Sequence, residues 1–196
     1  MASILVVCSG NICRSPVAEG LLRRAVQRRF GPDAPGVSSA GTIGLEGSPA
    51  TRESVQASAE RGIDISAHVA RRLTDAMVQG SDLVVCMAAE HRAEIGQRVP
   101  AAIDRTFTLK ELARVLEHDA PSAPQLRDVL AARVALAAAT RRDGGPSNPY
   151  DEDIVDPLGM PLETYRAIAW ELDEWTDRMV VGLFGPVPAD VSGEVA

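Results

Sequence analysis

Apolar and polar residues alternate along this chain in two distinct rhythms. Ile4-Leu5-Val6-Val7 is a short, unbroken apolar run rich in β-branching, which predicts a buried parallel strand over residues 3–7. From Pro16 to Phe30 the rhythm becomes helical. Val17, Leu21, Leu22, Ala25 and Val26 share one face, and Arg23, Arg24, Arg28 and Arg29 are read as a solvated outer face. A turn over 31–35 leads to a second strand at 37–42. The segment 49–61 reads as a helix stopped by Gly62, and 82–87 as a third buried strand with Cys86 as a small core residue. Residues 88–98 read as a helix on which His91 is expected to be exposed and without function. A fourth strand follows at 106–108, and a helix at 109–117. The last element, 162–183, is an amphipathic helix whose buried stripe is Tyr165, Ile168, Ala169, Leu172, Trp175 and Met179. Strand and helix alternate, so the expected class is α/β: a small parallel four-stranded sheet flanked by helices on both faces. Ligands of such sheets bind at the carboxyl ends of the strands.

One region breaks the alternation. Between 118 and 148, Pro121 and Pro124 interrupt the chain, and an alanine-rich helix over 125–142 carries Leu126, Val129, Leu130, Val134 and Leu136. Asp143-Gly144-Gly145-Pro146 stops it. This reads as a helical insertion beside the core of a single domain, 1–184, either a partner surface or a lid, followed by a flexible tail at 185–196.

Composition sharpens the picture in four places. Hydrophobic residues make up 45% of the 196 and aromatics only 4%, so the core is aliphatic. A formal charge of -7 argues against a nucleic-acid surface and makes any phosphate site local to one loop. No stretch approaches the roughly 20 apolar residues of a membrane span, which predicts a cytoplasmic protein without membrane insertion. Three cysteines suggest free thiols, and their spacing to the histidines fits no zinc pattern, so neither a metal nor a cofactor is expected.

The chemistry is concentrated at Cys8-Ser9-Gly10-Asn11-Ile12-Cys13-Arg14-Ser15-Pro16, between the first strand and the first helix. A strand-to-helix turn directs successive backbone N–H groups inward, and the helix N-terminus adds partial positive charge. Gly10 and Asn11 tolerate left-handed backbone, so the loop from Ser9 to Ser15 can curl around an anion. Such a loop favours thiolate over thiol at Cys8 and makes it a nucleophile. Arg14 offers a planar fork matched to two phosphate oxygens. The Ser15 hydroxyl can donate to the sulfur, and Pro16 suits a first helical turn.

The stretch from Cys8 to Pro16, with Ala18-Glu19 after it, resembles the signature of the low-molecular-weight protein tyrosine phosphatases. Ser39-Ala40-Gly41-Thr42 and the run from Gly62-Ile63-Asp64 through His68, Ala70, Arg71 and Leu73 extend the resemblance, which covers about 3–115 and 150–184. It implies the Rossmann-like fold of that family and a network in which Ser39 and His68 support Asn11. It also implies that Asp156, in the pair Asp156-Pro157, is the general acid, with Asp151 and Asp153 as rivals. Cys13 is implied as a redox partner of Cys8. The implied reaction is hydrolysis of phosphotyrosine on a protein substrate through a cysteinyl-phosphate, catalysed by Cys8, Arg14 and Asp156, by a monomer or weak homodimer. The loop residues Ser9, Gly10, Asn11, Ile12, Cys13, Arg14 and Ser15 would bind phosphate.

Three alternatives remain open. A protein-arginine phosphatase is a close relative, but those enzymes carry threonine where Ile12 stands. An arsenate reductase needs further relay cysteines, and only Cys86 is left over. A non-enzymatic phosphate-binding module needs neither Cys8 nor Asp156.

Overall fold

The computed structural model describes residues 2–117, 119–121, 129–145, 148 and 151–186. Strands β1 (Ser3–Cys8), β2 (Gly36–Gly41), β3 (Leu83–Cys86) and β4 (Thr106–Thr108) form one sheet in the order β2-β1-β3-β4. All three pairings are parallel, with Val7 beside Ala40 on one side and Cys86 on the other. Apart from Ser3 at the start of β1, both inner strands are apolar, because helices cover the sheet on both faces.

The period-2 geometry of β1 divides the core. Ile4, Val6 and Cys8 face a larger cluster built with α1 (Arg14–Phe30), α5 (Leu109–Glu117) and α7 (Leu162–Phe184). Leu5 and Val7 face a smaller one with Val78 of α3 (Asp75–Gln79) and Ile95 of α4 (Ala89–Arg98). The remaining helices, α2 (Arg52–Glu60) and α6 (Leu130–Arg142), sit on the larger side. α6 buries Leu130, Val134, Ala137 and Ala138 and packs on α5, α7 and the 3-10 turn Pro100–Arg105. The rest of the alanine-rich stretch, 125–128, and the tail from 187 lie outside the described residues.

Two sequence expectations are corrected. The arginines of α1 are not a uniformly solvated face. Arg29 is buried, and its guanidinium donates to the carbonyls of Phe184, Gly185 and Pro186, closing the C-terminal end of α7. Arg24 reaches Asp173 of α7 and the Arg61 carbonyl. His91 is not exposed: it is 1% accessible and points at the loop after β1. One short helix, α3, carries no sequence signal strong enough to have been anticipated. Its N-cap, Thr74, accepts from the Met77 N–H.

Along the last helix, Tyr165, Ile168, Ala169, Leu172 and Met179 are buried. Trp175 is only half-buried, and Arg114 and Arg178 stack over its ring at 4.9 and 3.8 Å.

Candidate active site

Cys8 is the last residue of β1 and Arg14 the first of α1, so the five residues between them must turn the chain within one loop. The turn depends on Asn11, whose φ of 58° is the only positive value at a non-glycine among the described residues. Left-handed backbone at such a residue persists only when its surroundings hold it. Here they do so from every side. The Asn11 side-chain N–H2 donates to Ser15 Oγ and to Ser39 Oγ, both at 2.8 Å. Its Oδ1 accepts from the Arg71 N–H at 2.8 Å, and His68 Nε2 donates to its carbonyl at 2.8 Å. The Ser39 hydroxyl donates a hydrogen bond to Glu19 Oε2, and Arg71 also holds the Ser39 carbonyl. Ser39 and His68 are therefore brought to the same loop residue from separate elements.

Gly41, at the end of β2, closes the loop from beneath. A Cβ there would lie 2.4 Å from the Ser9 carbonyl oxygen and 2.9 Å from the Asn11 nitrogen. Only glycine allows that approach.

The geometry around the sulfur follows from this frame. Cys8 Sγ lies 2.9 Å from Ser15 Oγ and accepts the Asn11 N–H at 3.3 Å. Because Asn11 already donates to Ser15 Oγ, the Ser15 proton is left for the sulfur, so two donors converge on Cys8. That arrangement stabilises an anionic sulfur.

Arg14 is 4% exposed. Its Nη1 donates to the Ile154 carbonyl at 3.0 Å. Its Nη2 donates to Ser9 Oγ at 3.2 Å and to Asp156 Oδ2 at 2.6 Å. Its Nε is buried with no hydrogen-bond partner among the described residues. A buried bare donor costs about 1–3 kcal/mol. One edge of the guanidinium is thus fixed to the protein, while the Nε–Nη2 edge offers the two parallel donors that a phosphoryl group accepts.

The acidic segment after residue 150 is sorted by its partners. Asp151 is held by Lys110 and Arg114. Asp153 Oδ1 accepts the Ala89 N–H at the start of α4 at 2.7 Å. Glu152 is buried near Arg92, and burial pushes its carboxyl up. The Ile154 N–H bonds the Met87 carbonyl at the end of β3. Among these four acids, only Asp156 reaches Arg14, and its side chain is 43% exposed. The two rivals for its role are thus occupied elsewhere.

Cys13 faces Thr51 Oγ1 at 3.8 Å and the Tyr165 hydroxyl at 4.0 Å. Burial pushes its thiol up. Cys86 is fully buried in β3, and burial pushes its thiol far up as well. A relay passing a disulfide outward through it has no support in this placement. Among the described residues no group of histidine, cysteine and carboxylate side chains could hold a metal ion.

His91 is the residue that the sequence reading missed. Its Nε2 lies 2.9 Å from Ser9 Oγ, next to Arg14. Burial, and then the charge of Arg14, push its pKa down to about 4. Its sequence neighbours, Glu90 and Arg92, are charged, and that masks an inward-facing position on a short helix.

A family model described as low molecular weight phosphotyrosine protein phosphatase matches residues 3–122. The chain belongs to this family. The phosphatase is 40% identical over 141 residues to a probable low molecular weight protein-tyrosine-phosphatase, EpsP, of Ralstonia solanacearum, covering 71% of this chain and 89% of that one. It is 32% identical over 178 residues to a protein-arginine-phosphatase of Geobacillus stearothermophilus, covering 90% and 92%. The crystal structure of a low molecular weight protein tyrosine phosphatase from T. tengcongensis superposes with a TM-score of 0.69 at 32% identity, covering 92% of this chain and 98% of that one. The phosphatase thus shares its fold with a solved low molecular weight protein tyrosine phosphatase. Among the described residues, no helix is long and apolar enough to cross a membrane.

Proposed function

We propose that this phosphatase hydrolyses phosphotyrosine on proteins, with Cys8 as nucleophile, Arg14 as the phosphoryl clamp and Asp156 as acid and then base. The observation that carries the proposal is the pairing of two donors on Cys8 Sγ with a buried arginine whose Nε–Nη2 edge faces no fixed partner but Ser9 and the movable Asp156.

The reaction follows from that geometry. The phosphoryl group takes the Nε–Nη2 edge and displaces the Asp156 carboxyl from Nη2. Cys8 sulfur attacks phosphorus as the bond to the phenolic oxygen breaks, and Asp156 gives that oxygen a proton. The equatorial oxygens are held by Arg14 and by amides of the loop 9–15 other than that of Asn11, with most of the gain in the transition state. Water then attacks phosphorus and passes its proton to Asp156, the sulfur–phosphorus bond breaks, and inorganic phosphate leaves. Ser15 steadies the departing thiolate.

The rim supports an aryl ester. Ile43 and Leu45 are exposed, and their N–H groups bond the carbonyls of Ser9 and Gly10. Val155, Leu158 and Met160 are exposed beside Asp156. Aliphatic side chains thus flank the catalytic loop from two segments, while Ile12 within the loop is buried in the larger core cluster. Such walls suit a phenyl ring better than a charged guanidinium. A second reading, phosphoarginine, is favoured by the named activity of the Geobacillus relative.

Parallel hydrolysis of phosphotyrosine and phosphoarginine peptides without added metal tests both. Tyrosine turnover that is abolished in Cys8→Ser and strongly reduced in Asp156→Asn is expected. Arg14→Ala should cost ~10²–10³ in rate. Faster turnover of phosphoarginine would replace the substrate but keep the loop chemistry. Full turnover by Cys8→Ser would overturn the mechanism.

A further inference from the structure

Arg14 Nη2 carries two hydrogens, and both are engaged. One goes to Asp156, which must leave when substrate binds; the other goes to Ser9 Oγ. Once Asp156 has moved, Ser9 is the side chain that still fixes this end of the guanidinium. Ser9 is itself held by His91 Nε2 at 2.9 Å. His91 Nδ1 is buried with no hydrogen-bond partner among the described residues. Of the two neutral tautomers, a proton on Nδ1 would bury a bare donor, while a proton on Nε2 leaves only a bare lone pair, the less costly orphan. The tautomer with the proton on Nε2 is therefore the stable one, and that N–H donates to Ser9 Oγ. Ser9 Oγ then accepts twice, from His91 and from Arg14. Its own proton is committed to neither and is free for an oxygen of a phosphoryl group on Arg14.

We propose that His91 and Ser9 are a positioning pair for phosphate capture: His91 Nε2–H fixes the Ser9 hydroxyl, and Ser9 holds the Nη2 end of Arg14 in the plane that two-point binding requires. His91 comes from α4, beyond the end of β3, so the pair ties the loop after β1 to the neighbouring strand's connection. The charged groups facing His91 are Arg14 from α1, Asp153 and Asp156 from the acidic segment, and Glu90 on its own helix, whose carboxylate is 3.5 Å from Nε2. Burial and Arg14 keep the ring neutral at working pH, so it does not place a second cation against the clamp.

The inference rests on the assignment of Arg14 as the phosphoryl clamp. Its test is steady-state kinetics on a phosphotyrosine peptide, with competitive inhibition by inorganic phosphate, for Ser9→Ala, His91→Phe, His91→Gln and the double variant Ser9→Ala/His91→Phe. Ser9→Ala and His91→Phe are each expected to lose about 10- to 100-fold in kcat/KM, the scale of a hydrogen bond to a charged group. Phosphate inhibition is expected to weaken in step. His91→Gln, which places an N–H near the position of Nε2, is expected to recover most of the loss. The double variant is expected to be no worse than either single one, because the two residues act in series. Ser9→Ala at wild-type kcat/KM and phosphate affinity would overturn the pairing, as would losses that multiply in the double variant. Ser9 is a half-buried loop residue, so its variant tests the idea even if His91→Phe fails to fold. Arg14→Ala run alongside separates the two levels. If it remains active, the clamp assignment itself fails; if it is inactive while the Ser9 and His91 variants match wild type, only the pairing fails.

Discussion

At the scale of single residues, the site rests on atoms whose partners are counted out. Asn11 spends its N–H, its carbonyl and both ends of its carboxamide to hold one left-handed turn. Ser15 is left with one proton, and it goes to Cys8. His91 carries a prediction of its own. Its folded pKa is about 4 against an ordinary 6.5, so between these values the unfolded chain binds more protons than the folded one. Stability therefore rises with pH through this window and is lost as pH falls from about 6.5 towards 4. The full shift corresponds to at most about 3 kcal/mol. Chemical denaturation of wild type and His91→Gln at a series of pH values between these limits is expected to show a shallower slope in the variant. Parallel slopes would mean that His91 is not protonated on unfolding in this range.

At the scale of elements, the loop works because two neighbours abut it. The end of β2 meets its underside at Gly41, and the 62–73 segment meets its outer side through His68 and Arg71. Gly41→Ala would set a methyl 2.4 Å from the Ser9 carbonyl oxygen, a backbone atom that cannot swing aside. The expected cost is about 1–3 kcal/mol of stability, as for overpacking elsewhere, together with a severe loss of kcat. Thermal unfolding and turnover measured on the same preparation check this. Normal activity at reduced stability would show that the loop can shift without losing its donors. The acidic segment has the complementary construction. Asp151, Asp153 and Ile154 are tied to α5, α4 and β3, so the chain is anchored until just before Asp156. Asp156 itself is the part left exposed, with one oxygen on Arg14 and the other accepting the Leu158 N–H.

At the scale of the whole molecule, α7 joins parts far apart in sequence. Asp173, only 7% exposed, receives Arg24 from α1 and Arg61 from the end of α2. Arg29 fixes the far end of the same helix through three carbonyls. Asp173→Ala leaves two partly buried arginines without their carboxylate. It is expected to lower unfolding free energy by about 3 kcal/mol, the low end for breaking a buried pair, with kcat/KM unchanged because the site lies elsewhere. Urea unfolding and peptide turnover test the two halves of this expectation separately.

The alternation of apolar runs was enough to determine the parallel sheet, the helices on both faces and the loop where chemistry gathers, because strand and helix periods are local properties of the chain. The gathering of Cys8 and Arg14 in one strand-to-helix loop was also legible, since strand, loop and helix follow one another in the chain, whereas Asp156 came only from the resemblance to the family. Side-chain direction was not. His91 and Arg29 sit among charged neighbours, and nothing in local sequence says that one turns inward to Ser9 while the other closes the end of a helix more than 150 positions away. Which of Asp151, Asp153 and Asp156 faces Arg14 was equally beyond the sequence. That choice depends on where Lys110, Arg114 and the N-terminus of α4 lie in space, and only the assembled fold brings them together.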